Sequence, residues 1–212
     1  MKKIDEIIRV LRKTYPDARI ALNFGNNFEL LVAVILSAQC TDVRVNLVTP
    51  DLFRRFSNVR DYAVCSAEEL EQLIYSTGFY RNKAKNIMGA AKMIVDEFDG
   101  EVPSEMDALL KLPGVARKTA NVVLSAGFGK NEGVTVDTHV IRISGLLKLV
   151  PAKYVKVKNA VKIEQELMKM VPRKDWGIIS HLLIFHGRKT CIARKPRCGE
   201  CPLKKLCLSA KA

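Results

Sequence analysis

Residues 112–120 read LPGVARKTA. Pro113 and Gly114 in succession make a turn of Leu112–Val115, and helical spacing resumes behind it through Phe128. EMDALLKL, in front of the turn, is helical as well, with Ser104 placed to cap it. The stretch is therefore the centre of a helix, tight turn and helix unit over about 105–128. Lys118 falls in the first turn of the second helix. A helix N-terminus carries roughly half a positive charge, so a cation there is mildly disfavoured. A solvated side chain reaching past the helix end is one account of it. The other is an amine placed where it loses its proton.

Outward from this unit the pattern stays helical. Ile4, Ile7, Ile8 and Leu11 share one face of a first helix that stops before Pro16. FELLVAVILSAQ, capped by Asn26 or Asn27, is apolar nearly all the way round, as a buried central helix is. Ser66 and Glu69 form a capping-box pattern before LEQLIY, which Gly78 stops. KAKNIMGAAKMIVDEF is closed by Gly100. Asp137 stands at an N-cap before THVIRISGLLKL, and VKNAVKIEQELMKM and WGIISHLLIFHG follow. No segment alternates as a strand does, so the predicted class is all-α.

The chain has 212 residues and a net charge of +13. That charge favours a polyanionic partner, nucleic acid before anionic membrane. It is concentrated: residues 188–212 hold eight lysines and arginines against Glu200 alone, +7 of the total. The longest apolar run, Leu30 to Leu36, is far too short to span a bilayer, and the N-terminus lacks the apolar stretch of a signal peptide. The expectation is a soluble cytoplasmic protein, nucleoid-associated if prokaryotic.

The basic end also holds Cys191, Cys198, Cys201 and Cys207, spaced C-x6-C-x2-C-x5-C. Disulfide frameworks belong to short secreted chains, so four clustered thiols here point to metal. Four-cysteine zinc and an iron–sulfur cluster both satisfy the spacing. Arg194, Lys195 and Arg197 lie inside this loop, which a metal would hold rigid enough to meet phosphates. Cys40 and Cys65 read as small buried residues. His181 and His186 lie in an apolar helix and read as core or interface residues rather than metal ligands.

Several segments together resemble the endonuclease III family of base-excision DNA glycosylases. LPGVARKTANVV is similar to its helix-hairpin-helix, VDTH at 136–139 to its acidic catalytic segment, and HGRKTCIARKPRCGECPLKKLC to its iron–sulfur loop. LNFGNNFELLVAVILSAQCTD and GFYRNKAKNI match as well, so the resemblance covers about 22–207. It implies a 4Fe–4S cluster rather than zinc, double-stranded DNA with a damaged base or abasic site as partner, and a monomer. It also implies two helical lobes: a six-helix lobe at 21–131 containing the hairpin, and a second of 1–20 with 132–212 ending in the loop 191–207. One residue departs from the pattern. The family's hairpin has a second glycine where this chain has Ala116, whose methyl could crowd a phosphate and would be strained at positive φ.

The resemblance gives the lysine its answer. An amine attacks the C1′ of a deoxyribose only as the free base, which partial burial and a helix N-terminus both favour. Lys118 would displace the base and form a Schiff base, and Asp137 would stabilise positive charge at the sugar. The implied DNA contacts are the hairpin turn Gly114, Val115 and Ala116, the loop cations Arg194, Lys195 and Arg197, and His139 on a phosphate. Gln39 and Phe79 would fill the hole left by the extruded nucleotide, Phe79 being bulkier than the leucine common in the family. Oxidised pyrimidines of the thymine glycol type are the implied substrates of a glycosylase that also cleaves the abasic strand. The competing readings are a monofunctional mismatch or uracil glycosylase, which has no need of Lys118, a non-catalytic DNA-binding module with a structural metal, and an electron carrier.

Overall fold

The computed structural model describes residues 2–210. It contains twelve α-helices and three short 3-10 turns, with no strand among the described residues. The chain divides into two compact units, Met1–Ile20 with Asn131–Ala212, and Ala21–Lys130. Helix α1 (Lys3–Thr14) buries Ile4, Ile7, Ile8 and Leu11, the stripe expected from its spacing, in the first of these units.

The Ala21–Lys130 unit comprises α2 (Asn27–Leu36), α3 (Asp42–Arg55), α4 (Val59–Val64), α5 (Ala67–Ile74), α6 (Tyr80–Glu97), α7 (Met106–Leu109) and α8 (Arg117–Phe128). The unit thus holds seven helices where six were expected, α7 being a single turn. The central helix is α2: Leu30 through Leu36 are all buried, and Asn26 caps it by accepting from the Glu29 N–H. Helix α6 turns Ala84, Ile87, Ala90, Ala91 and Ile94 inward, and α8 turns Ala120, Val123 and Leu124 inward. Gly127 lets α8 close on α2, since a Cβ there would lie 2.5 Å from the Asn27 side-chain oxygen. Phe28 and Phe56 each meet the buried ring of Tyr62 at 5.1 Å.

Ser104 does not cap the hairpin's first helix. The N-cap is Glu105, without a side-chain bond, because the Ser104 hydroxyl is taken by Lys130. The Lys130 ammonium donates to the Ser104 carbonyl (2.8 Å), to the Ser104 hydroxyl (2.9 Å) and to Glu105 (2.6 Å). One cation thus ties the chain leaving α8 to the chain entering α7 and closes the hairpin at its base.

The other unit adds α9 (Thr138–Leu146), α10 (Ala152–Lys156), α11 (Ala160–Met170) and α12 (Trp176–Lys189) to α1. Its core gathers the α1 stripe with Val140 and Ile143 of α9, Ile163 and Leu167 of α11, Ile179, Leu182 and Leu183 of α12, and Leu203. Leu203 lies between Cys201 and Cys207, so the cysteine loop is pinned to this core by an apolar anchor as well.

Candidate active site and cysteine cavity

In the hairpin turn the Val115 N–H donates to the Leu112 carbonyl at 3.1 Å. Gly114 has φ +78, and a Cβ on it would stand 2.8 Å from the Cβ of Asn86, so conformation and space both demand glycine. Ala116 is the N-cap of α8 with φ −92 and ψ 168, extended backbone that any residue adopts. The strain expected of alanine at this place is therefore absent, and its methyl is exposed. No side chain caps α8, as none caps α6, α7, α10 or α12. An N-terminus with no side-chain cap leaves its orphan amides for an outside anion.

Lys118 is the second residue of α8 and is exposed, so the partial burial expected of it is not present in the free protein. Asp137 is the N-cap of α9, its Oδ1 accepting from the Val140 N–H at 2.8 Å. This bond fixes the carboxylate and leaves Oδ2 for other work. Lys118 and Asp137 belong to different units of the chain.

Gln39 and Phe79 share an unusual backbone. Both are exposed and both are left-handed, with φ +53 and +49. Non-glycine residues adopt this region rarely, and such strain collects where function needs it. Phe79 is the N-cap of α6, directly behind Gly78.

His139 is half-buried, and burial holds its imidazole below the ordinary histidine range, against the pull of Asp137. Its Nδ1 lies 3.3 Å from an Arg142 guanidinium nitrogen, so Nδ1 is the acceptor and the ring is neutral. A phosphate would meet it as a neutral donor through Nε2. Arg194, Lys195 and Arg197 are all exposed on the cysteine loop, where the Arg197 N–H donates back to the Thr190 carbonyl at 3.0 Å.

Cys191, Cys198, Cys201 and Cys207 line one cavity of about 260 Å³, and none is in a disulfide. Burial pushes the Cys191 and Cys201 thiols up, and the neighbouring cysteines add to it. Arg142, His186 and Thr190, which spacing did not single out, line the same cavity. Arg142 donates to the Cys191 carbonyl at 2.6 Å and reaches its sulfur at 3.5 Å. His186, pushed down to about 4 by burial, places Nε2 3.7 Å from the Cys201 sulfur. Its Nδ1 lies 3.0 Å from the Tyr15 hydroxyl, which in turn meets Thr190 at 2.7 Å. With Cys201 as a thiolate these contacts assign the proton to Nε2 and make Nδ1 the acceptor of the tyrosine. No sequence signal marks Arg142, which stands alone on α9; His186 was visible, but only as a core residue.

The HhH-GPD superfamily of base excision DNA repair proteins matches residues 32–173, and the iron–sulfur binding domain of endonuclease III matches 191–207. Endonuclease III of Synechocystis is 54% identical over 211 residues, covering 100% of this chain and 94% of the relative. The chain belongs to the endonuclease III family. Endonuclease III of Bacillus subtilis is 48% identical over 207 residues, covering 98% of this chain and 92% of the relative. A solved endonuclease III, trapped as a covalent intermediate with DNA in an estranged-adenine complex, superposes with a TM-score of 0.90 at 45% identity, over 99% of this chain and 97% of that one. As a member of the endonuclease III family the chain is a base-excision DNA repair enzyme, a DNA glycosylase and abasic-site lyase with a 4Fe–4S cluster.

The cysteine cavity fits that cluster. Four thiols set around a cavity are the donor set of a cubane cluster, and the Arg142 and His186 donors offset thiolate charge beside it.

Proposed function

We propose that Lys118 is the nucleophile of a bifunctional glycosylase acting on oxidised pyrimidines in double-stranded DNA, with Asp137 as its carboxylate. The observation that carries the reading is the end of α8. An exposed lysine in the first turn stands beside helix amides that no side chain caps, behind a turn that only glycine can make. Amides that take a phosphate hold the strand, and the amine on the same turn reaches the sugar.

The damaged nucleotide leaves the stack because its C1′ is out of reach inside the duplex. Lys118 Nζ, as the free base, bonds to C1′, and the base departs with the glycosidic electron pair and takes up a proton. The sugar ring opens to give a protonated C1′=Nζ Schiff base. Loss of a proton from C2′ sends electrons to the iminium and expels the 3′ phosphate, which cleaves the strand. Water then releases Lys118. Asp137, one oxygen locked in its cap, places negative charge where the sugar becomes positive. Gln39 and Phe79 occupy the vacated stack. Arg194, Lys195 and Arg197 hold phosphates, with His139 as a neutral donor. Cys191, Cys198, Cys201 and Cys207 hold the cluster, which, when bound, supplies iron–thiolate cross-links that make their loop rigid. The reading places the protein in the cytoplasm, at the chromosome; no described helix is long and apolar enough to cross a membrane.

Borohydride, which reduces a Schiff base to a stable amine, tests this. Wild type mixed with a thymine glycol or abasic duplex should give a covalent adduct, and Lys118→Gln should give none while still binding the duplex. An adduct from the Lys118→Gln variant, or its absence from both proteins, would return Lys118 to a phosphate contact.

A further inference from the structure

Lys83 poses again the question that Lys118 raised. It lies near the N-terminus of α6, where a helix disfavours a cation, and here the side chain is 4% exposed. It is the one buried lysine or arginine among the described residues. A buried ammonium is retained only where its protons are met. Two are met by carbonyls from separate places in the sequence: Nζ donates to Leu36 at 2.8 Å and to Thr77 at 2.9 Å. Leu36 ends α2 and Thr77 ends the 3-10 turn Tyr75–Thr77, so each carbonyl is at the negative end of a helical segment. The two segment ends that disfavour anions thus share one cation.

What lies just beyond each carbonyl gives this clamp its meaning. Three residues after Leu36 comes Gln39, and two after Thr77 comes Phe79, two of the five exposed left-handed non-glycine residues among the described residues. Exposed residues in a strained backbone do not hold themselves; the surrounding structure must over-determine them. The Lys83 N–H, moreover, donates to the Phe79 carbonyl at 3.0 Å, so the residue grips the second loop by backbone and side chain together. We infer that Lys83 is a positioning residue for base extrusion: its ammonium ties the Gln39 loop to the Phe79 loop, so that plug and wedge enter the duplex as one preset unit. The inference rests on the assignment of Gln39 and Phe79 given above. Lys83 itself touches no DNA in this account.

The test compares a thymine glycol in a fully paired duplex with the same lesion in an unpaired bubble, where little extrusion work remains. Rates are normalised to active enzyme by borohydride trapping, which removes any effect of partial unfolding. Lys83→Met should lower kcat/KM on the paired duplex by about 10-fold or more, as misplacement of positioning groups does, with a several-fold smaller loss on the bubble. Lys83→Arg, which can donate to both carbonyls, should recover part of the loss. In a Gln39→Ala, Phe79→Ala background Lys83→Met should add nothing on the paired duplex, because residues acting as a unit are not additive. Equal losses on both substrates, or a full additional loss in that background, would make Lys83 a purely structural residue and overturn the inference. If Gln39→Ala and Phe79→Ala reduce extrusion and Lys83→Met does not, the clamp falls while the plug and wedge stand. If the two alanine variants themselves leave the paired rate unchanged, the assignment of plug and wedge fails first and takes the clamp with it.

Discussion

Gly114 and Ala116 sit two residues apart in the same turn, and the family pattern asks for glycine at both. Only Gly114 has φ +78 and a neighbour 2.8 Å from where a Cβ would stand. Gly114→Ala should therefore cost about 1–3 kcal/mol, from left-handed strain and a contact that Asn86 must relieve. Ala116→Gly should instead lose less than about 1 kcal/mol, because φ −92 strains no residue and glycine only loosens the unfolded chain. Urea midpoints of the two variants check this, and a stabilising Ala116→Gly would show that the alanine is strained after all. Residue type and spacing singled out the four cysteines, while the roles expected of Lys118 and Asp137 came with the resemblance to the endonuclease III family. Neither showed that Lys118 is exposed or that the Asp137 cap bond goes to Val140, because exposure and bond partners depend on chain folded elsewhere. Arg142 was illegible for the same reason: an arginine on a helix carries no mark of the cysteine it meets 49 residues later.

At the scale of elements, periodicity found the helices whose apolar residues follow one stripe or fill the whole surface. Helices α1 and α2 are of these two kinds. It did not find α3, where Pro50 lies inside the helix and Val43 and Leu47 face outward, nor the six-residue α4. A proline in mid-helix and apolar residues on the wrong face each erase the signal that a periodicity reading uses. Helix α12 yields a pH prediction. Burial holds the His181 imidazole below its ordinary value of 6.5, so the unfolded chain takes a proton there before the folded one does. The stability due to the neutral ring is complete above pH 6.5 and is lost as pH falls from there toward the lowered folded value. Urea midpoints should drop as pH falls below about 6.5, and His181→Gln should make that drop shallower. Parallel slopes would mean that His181 takes its proton equally well folded and unfolded.

Across the whole molecule, a net charge of +13 made a polyanionic partner legible, and the four cysteines made a metal legible. Neither could choose DNA repair or iron on its own; that needed the hairpin, the acidic segment and the cysteine loop read together. The reaction proposed requires the covalent bond to the sugar to be made by Lys118 and by no other of the chain's many amines. The measurement that bears on this most directly is the mass-spectrometric mapping of the adduct. Wild-type protein is trapped with borohydride on an abasic duplex, the DNA is digested to the linked sugar, and the protein is cut to peptides. The account predicts the sugar remnant on the peptide that contains Lys118. A remnant on another lysine or on the N-terminal amine would contradict it.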